Sequence, residues 1–302
     1  MGSLLLGAVA IPPPTFLSLL LGREREPHLL FLLNMRFARV LSAFLAGGTL
    51  ALAGILYQTV FQNPLVDSYV LGVASGATFG GVLLLRLGYL YPWPGAFLGA
   101  LIATFLTLFL GRRNGGLSLI KTLLGGVVVG SFLAAATTFL LLTWKGPLYG
   151  GIFWSIGSFS NATLRDSLEL VTVGVLYLLL FLLLHRSLDV LLLGEEEALS
   201  LGLRVGRFRL FLLLISAFSV SLVSAKFGIL GFVGLIAPHI CRLIVGPLHH
   251  TLLPISFLLG GTLLVVSDTV ARTSFAPIEI PVGVITVLLG GPFFLYLMRR
   301  RI

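Results

Sequence analysis

Arg36 and Arg39 stand three residues apart, and Arg272 sits far downstream at the end of a greasy segment. Arginine is permanently charged and grips a carboxylate through two parallel hydrogen bonds. At the ends of apolar segments such residues suit an acidic docking partner, or equally an anchor in lipid headgroups. A second candidate is LGEEEALSLGL, in which Gly194, Ala198 and Gly202 recur every fourth residue. That spacing puts them on one face of a short helix, with Glu195, Glu196 and Glu197 near its start, where the helix dipole favours negative charge. A capped surface helix and a contact helix for a partner would look alike here. Third, His239 follows Pro238 inside the apolar run GFVGLIAPHICR. A histidine there could ligate haem iron. The simpler role is to hydrogen-bond backbone freed by the proline.

Other chemistry is missing. No GxxxxGK[ST], HExxH or GxSxG occurs, so phosphate-loop ATP hydrolysis by this chain is not expected. The single cysteine, Cys241, excludes an internal disulfide and any CxxC site. His249 and His250 read as a solvated loop pair. Asp67, Asp166, Glu169, Asp189, Asp268 and Glu279 fall near helix ends. An ion-driven carrier would want ionisable groups at mid-membrane, and a membrane enzyme would want polar groups converging at one depth.

Those residues must be positioned by elements that live in lipid. Of 302 residues, 57% are hydrophobic and 10% are charged, and mean hydropathy is +1.08. The arginines behind the net charge of +9 are dispersed at the ends of apolar segments, which argues against nucleic acid and for headgroups. Non-alternating runs of near-spanning length predict an all-α polytopic membrane bundle rather than a barrel. Helices are expected over residues 38–61, 68–87, 93–111, 118–142, 167–185, 207–226, 230–246, 252–270 and 281–298. A short apolar stub before Pro12 brings the expectation to about ten spans, the first short or truncated. Residues 12–21 read as an interfacial helix followed by a charged REREP loop. No cleavable signal peptide is expected, and residues 1–302 read as a single transmembrane domain. Loop arginines place Arg112, Arg113, Arg186, Arg204, Arg207, Arg209 and the Arg299–Arg301 tail in the cytoplasm. Arg36, Arg39, Arg86, Lys145, Arg165, Lys226 and Arg272 then lie outside, and Asn63-Pro64 lies inside.

Two local patterns stand out within the spans. Gly72, Gly76 and Gly80 recur at helical spacing, as do Gly47 with Gly54 and Gly126 with Gly130. Small faces bring helix backbones together in lipid, or line a path. At QNP, Pro64 lacks an N–H and biases Asn63 away from helical angles, so the helix reaching Phe61 must stop and the chain must turn.

Five stretches in order carry a resemblance. They are RFARVLSAFLAGGTLALAGILYQ from Arg36, QNPLVDSYVLGVASGA from Gln62, LGEEEALSLGL from Leu193, GFVGLIAPHICR from Gly231, and SDTVAR followed by EIPVGVITVLLGGPFF from Ser267. Together they resemble the permease subunits of binding-protein-dependent ABC importers for ferric siderophores, haem and cobalamin. The resemblance implies a permease of the inner (cytoplasmic) membrane that dimerises around a translocation path. It implies two ATPase subunits inside, which hold ATP and Mg, and a substrate-binding protein outside, with no cofactor in this chain. Arg36, Arg39 and Arg272 would dock the binding protein, and Asn63, Pro64 and Leu65 would form a cytoplasmic gate. Gly194, Glu195, Ala198, Leu201 and Gly202 would belong to a coupling helix whose small face enters the ATPase. Two departures stand out: the first helix is shorter than the family's, and Arg36-Phe37-Ala38-Arg39 lacks the family's proline. An ion-gradient-driven carrier and a membrane-embedded enzyme are the rival readings.

Overall fold

A computed structural model describes residues 27–113, 116–144, 154–276 and 278–301, together with Ser3, Pro14 and Ser18. Apart from Ser3, Pro14 and Ser18, the stub helix and the interfacial segment at residues 12–21 lie outside the described residues, as do residues 23–26 of the REREP loop and Lys145.

The helices, in chain order, are α1 (Pro27–Val60), α2 (Val73–Arg86), α3 (Trp93–Gly111), α4 (Leu119–Leu142), α5 (Leu164–Leu183), α6 (His185–Leu192), α7 (Glu195–Ser200), α8 (Val205–Phe227), α9 (Val233–Val245), α10 (His249–Thr273) and α11 (Val282–Arg301). A hairpin of two-residue strands, β1 (Arg112–Arg113) and β2 (Gly116–Leu117), joins α3 to α4. Each of the nine spans predicted after the stub overlaps one of these helices. Six of them, α1, α3, α4, α5, α8 and α10, are long and apolar enough to cross a membrane.

α1 is the axis of the bundle. Its apolar window is 83% buried, against 28% for α4 and for α5. It packs against α5, α8, α9 and α10, while α2, α3 and α4 form a second group. α1 begins at Pro27, well before the predicted residue 38. Arg36 and Arg39 do not interrupt the helix, and Arg39 is drawn in by groups elsewhere in the fold.

Small residues set the closest crossings. A Cβ at Gly76 or Gly80 would overlap the carbonyl oxygen of Gly99 or Gly95 on α3. Gly47 meets Gly260, Gly54 meets Gly234 and Gly126 meets the Val70 carbonyl in the same way. Gly72 is different. It precedes α2 with φ 76°, a left-handed turn residue rather than part of a helical face. Gly130 makes only ordinary contacts, near Ser75 and Gly72.

Two helices are half-length. α2 has 14 residues and α9 has 13, so each rises only about 20 Å against a hydrocarbon core of roughly 30 Å. Non-helical backbone leads into each, at residues 61–72 and 228–232. The prediction of helix from residue 68 and from residue 230 is corrected at these two places. Unwound backbone is tolerated at membrane depth only where protein satisfies its polar groups, and the partners are described below.

Candidate functional site

One end of the bundle gathers the arginines. Arg39 lies within α1 and faces α10. Its Nε donates to both Asp268 carboxylate oxygens, at 3.1 and 2.9 Å, and its Nη2 donates to Asp268 Oδ1 at 2.9 Å. Its Nη1 donates to Glu279 Oε2 at 2.8 Å. Arg272, one turn beyond Asp268 on α10, holds its Nε 3.8 Å from the same carboxylate and donates to the Ser3 carbonyl and hydroxyl. Asp268 is 1% exposed and Arg272 3%, and Arg36 is buried beside them. The three predicted arginines therefore do converge. Arg39 and Arg272 are seated in an internal network around Asp268 rather than standing free at the surface. Sequence reading missed Asp268 and Glu279 as partners, although SDTVAR places Asp268 one turn before Arg272, the spacing of a helical ion pair.

At the same end, Lys226 closes α8 onto the first turn of α5. Its Nζ lies 2.6 Å from Asp166 and 2.7 Å from Glu169. Asp166 also completes a capping box with Thr163. Both features fix the start of α5, where Ser167 in its first turn meets Ser42 and bridges α5 to α1 at 2.9 Å.

The opposite end holds the broken segment. α1 stops at Val60, and Asn63 Oδ1 then accepts the Leu65 N–H at 2.9 Å, a local turn that fixes Asn63, Pro64 and Leu65. Beyond it the chain is stitched to the start of α9. Gln58 Nε2 donates to the carbonyls of Val66 and Gly234, each at 3.3 Å. The Asp67 carboxylate accepts the Phe232 N–H. The Tyr69 hydroxyl accepts the Leu230 N–H and the Ser224 hydroxyl, each at 3.2 Å. Side chains at 67 and 69 thus meet alternate backbone donors of the unwound 228–232 stretch. That is how a non-helical segment survives there.

Pro238 fits this arrangement. A proline inside a helix frees the carbonyl four residues earlier, which is Gly234, and Gln58 occupies it. The sequence reading gave that duty to His239. His239 itself is buried edge-on against Phe293, with ring centroids 5.8 Å apart. No group of three or more metal-ligating side chains occurs among the described residues.

α6 and α7 lie beside this end. α7 is a six-residue helix flanked by Gly194 and Gly202, at φ 123° and 84°. These glycines are turn residues that open and close the helix. Ala198 is 0% exposed, packed into its own chain. The expectation of an outward small face is therefore corrected: the outward side carries Glu196, Leu199 and Leu201, the two leucines 55% and 62% exposed. Glu195 pairs with Arg209 at 2.6 Å, so Arg209 is a buried brace between α7 and α8 rather than a headgroup anchor. The histidine pair is also corrected. His249 opens α10 and is 1% exposed, held by Asp189 of α6 and Thr59 of α1, while His250 is exposed.

Comparison with known proteins sharpens this arrangement. A model described as the FecCD transport family matches residues 1–300. The cobalamin import system permease of Halobacterium salinarum is 40% identical over 274 residues, 89% of this chain and 73% of that protein. The hemin transport system permease of Yersinia pestis is 38% identical over 278 residues, 89% and 83% of the two chains. The ferric enterobactin transport system permease of Escherichia coli is 36% identical over 306 residues, 99% and 91% of the two. Among solved structures, a metal-chelate type ABC transporter in an inward-facing conformation superposes with a TM-score of 0.82 at 30% identity, covering 98% of this chain and 93% of that one.

Proposed function

Since this chain belongs to the FecCD transport family, we propose that it lines the membrane path of an importer whose cargo is an iron chelate, with haem and cobalamin as the other candidates. The chain is a multi-pass membrane permease subunit of a binding-protein-dependent ABC importer, a transport subunit and not an enzyme. In the proposed assembly its ten-helix bundle, a single permease domain, pairs with a second copy in the inner (cytoplasmic) membrane, and the path runs between the copies. Two ATPase subunits hold ATP and Mg on the inside, and a substrate-binding protein delivers cargo from the outside.

Named roles follow from position. α7, through Glu196, Leu199 and Leu201, meets the ATPase, and Gly194, Glu195, Ala198 and Gly202 shape and brace that contact. Asn63, Pro64 and Leu65 narrow the inner end of the path. Arg36, Arg39 and Arg272 form the electropositive seat for acidic groups of the binding protein, with Asp268 and Glu279 fixing their orientation. The observation that supports this reading best is the direct bond of α6, through the Leu191 carbonyl, to Gln62 in the turn that ends α1, next to the gate. Nucleotide-driven movement on the inside thereby has a structure to act on. Co-expression with its ATPase partner tests the reading. The permease should retain that subunit through detergent purification, and Leu201→Asp should release it. Equal retention by both would overturn the α7 assignment.

A further inference from the structure

α1 ends in a turn of the Schellman type. The Gln62 N–H donates to the Thr59 carbonyl at 3.3 Å, and the Asn63 N–H donates to the Gln58 carbonyl at 3.1 Å. That pattern puts residue 62 where helices usually place glycine, because the backbone there is left-handed. Here it is glutamine, at φ 48°. A side chain in that conformation is strained, and strain of this kind persists only where the surroundings hold it. The side chain has an evident partner: Gln62 Nε2 donates to the Leu191 carbonyl of α6 at 3.2 Å.

A second link lies one turn back along α1. Buried Thr59 is hydrogen-bonded to His249 Nε2 at 2.9 Å, and His249 Nδ1 lies 2.6 Å from Asp189 Oδ1. The same Asp189 oxygen accepts the His249 backbone N–H at 3.0 Å. α10 has no side-chain cap from Leu248 before it, so α6 supplies the cap from a distance. α6 is thus fastened twice, at Asp189 to the first turn of α10 and at Leu191 to the turn that ends α1. Leu188 and Leu191, both fully buried, seat the same helix in the core. α7 begins three residues after α6 ends, and Asn63 follows Gln62 directly.

We propose that α6 is the lever that carries movement of α7 to the turn at Asn63, Pro64 and Leu65, with Gln62 and His249 as its positioning residues. This rests on the reading of α7 as the ATPase contact. Backbone alone would transmit poorly from α7 to the gate, since more than a hundred residues separate Leu65 from Glu195. The two side-chain links make the path a few bonds long. A glycine at position 62 would satisfy the turn better and would break one of the links. The glutamine therefore serves the connection and not the turn.

The test uses the assembled importer, permease with its ATPase and binding-protein partners, in nanodiscs. Cys241→Ser removes the buried native thiol, and Leu65→Cys places a reporter at the turn. The rate at which a membrane-impermeant maleimide labels residue 65 is measured without nucleotide and with ATP and vanadate. In Gln62→Gly, Gln62→Glu and His249→Asn the nucleotide-driven change in rate should shrink at least about fivefold, the lower end of typical coupling between sites. ATPase retention should stay at the parent level. Gln62→Gly relieves backbone strain, so its defect cannot come from misfolding. Gln62→Glu keeps the shape of the side chain, loses the donor and sets a carboxylate against the Leu191 carbonyl, and Gln62→Gly separates loss of the bond from that added charge. A nucleotide-driven change of parental size in Gln62→Gly and His249→Asn overturns the lever, as does loss of ATPase retention in both, which would make the links merely structural. A parent assembly that retains no ATPase subunit overturns the permease reading itself, and the lever with it.

Discussion

Asp268→Asn should be the most damaging single-atom-scale change at the arginine end of the molecule. Asp268 is 1% exposed and carries the bidentate bond from Arg39, and Arg272 beside it is 3% exposed. Removing its charge leaves two arginines gathered in the interior without their shared counter-ion. Breaking a buried pair in this way costs about 3–5 kcal/mol. Glu279 offers the internal control. It binds the same Arg39, but its side chain is 39% exposed, so Glu279→Gln should cost at most about 1 kcal/mol. Cys241, the sole cysteine and fully buried, supplies the assay. A thiol-reactive fluorogenic dye reports unfolding as that residue becomes accessible on heating. At about 2–4 °C per kcal/mol for a chain of this size, Asp268→Asn should lower the midpoint by roughly 6–20 °C. Glu279→Gln should lower it by no more than about 4 °C. Equal midpoints for the two variants, or a larger loss for Glu279→Gln, would refute the placement of Asp268 at the centre of the network.

Three further outcomes are expected. Gly54→Leu should destabilise the bundle by at least about 1–3 kcal/mol in the same dye assay, since its Cβ overlaps the Gly234 carbonyl. Gly116→Ala, with nothing near its Cβ, should leave the midpoint unchanged. Charge reversal at Arg36 together with Arg272 should weaken binding-protein docking, most at low salt, in protein whose dye-assay midpoint shows it folded, and an affinity that does not vary across a salt series would remove the docking role. Gln58→Ala should cost about 1–3 kcal/mol by stranding the Gly234 carbonyl that Pro238 leaves free, and Gln58→Ala on a Pro238→Ala background should cost measurably less.

The sequence made the spans legible because lipid imposes a length and a polarity that no tertiary contact can disguise. The stop at Val60 was equally plain, since a proline three residues past Phe61 leaves the backbone no choice. That Pro238 would free a carbonyl was also readable, but not that Gln58, 176 residues away from Gly234, would meet it. The failures share this cause. His249 reads as a loop residue until Asp189, sixty residues earlier, is placed against it. Arg39 reads as a residue near the limit of a helix until Asp268 and Glu279 are placed against it. Ala198 shows a different limit. Four-residue spacing reveals that small residues share a face, and says nothing of whether that face turns toward a partner or toward the chain's own core. Gly194 and Gly202 were visible as small residues, while their left-handed geometry belongs to the folded turn.

The central claim is that this polypeptide conducts cargo only when nucleotide is hydrolysed by another subunit. Uptake into proteoliposomes tests it directly, with ferric enterobactin, haemin and cyanocobalamin as separate probes. The permease with its ATPase and binding-protein partners should accumulate at least one of the three in strict dependence on ATP. The permease without the ATPase should accumulate none under an imposed proton or sodium gradient. Gradient-driven uptake by the permease in the absence of any ATPase would contradict the account.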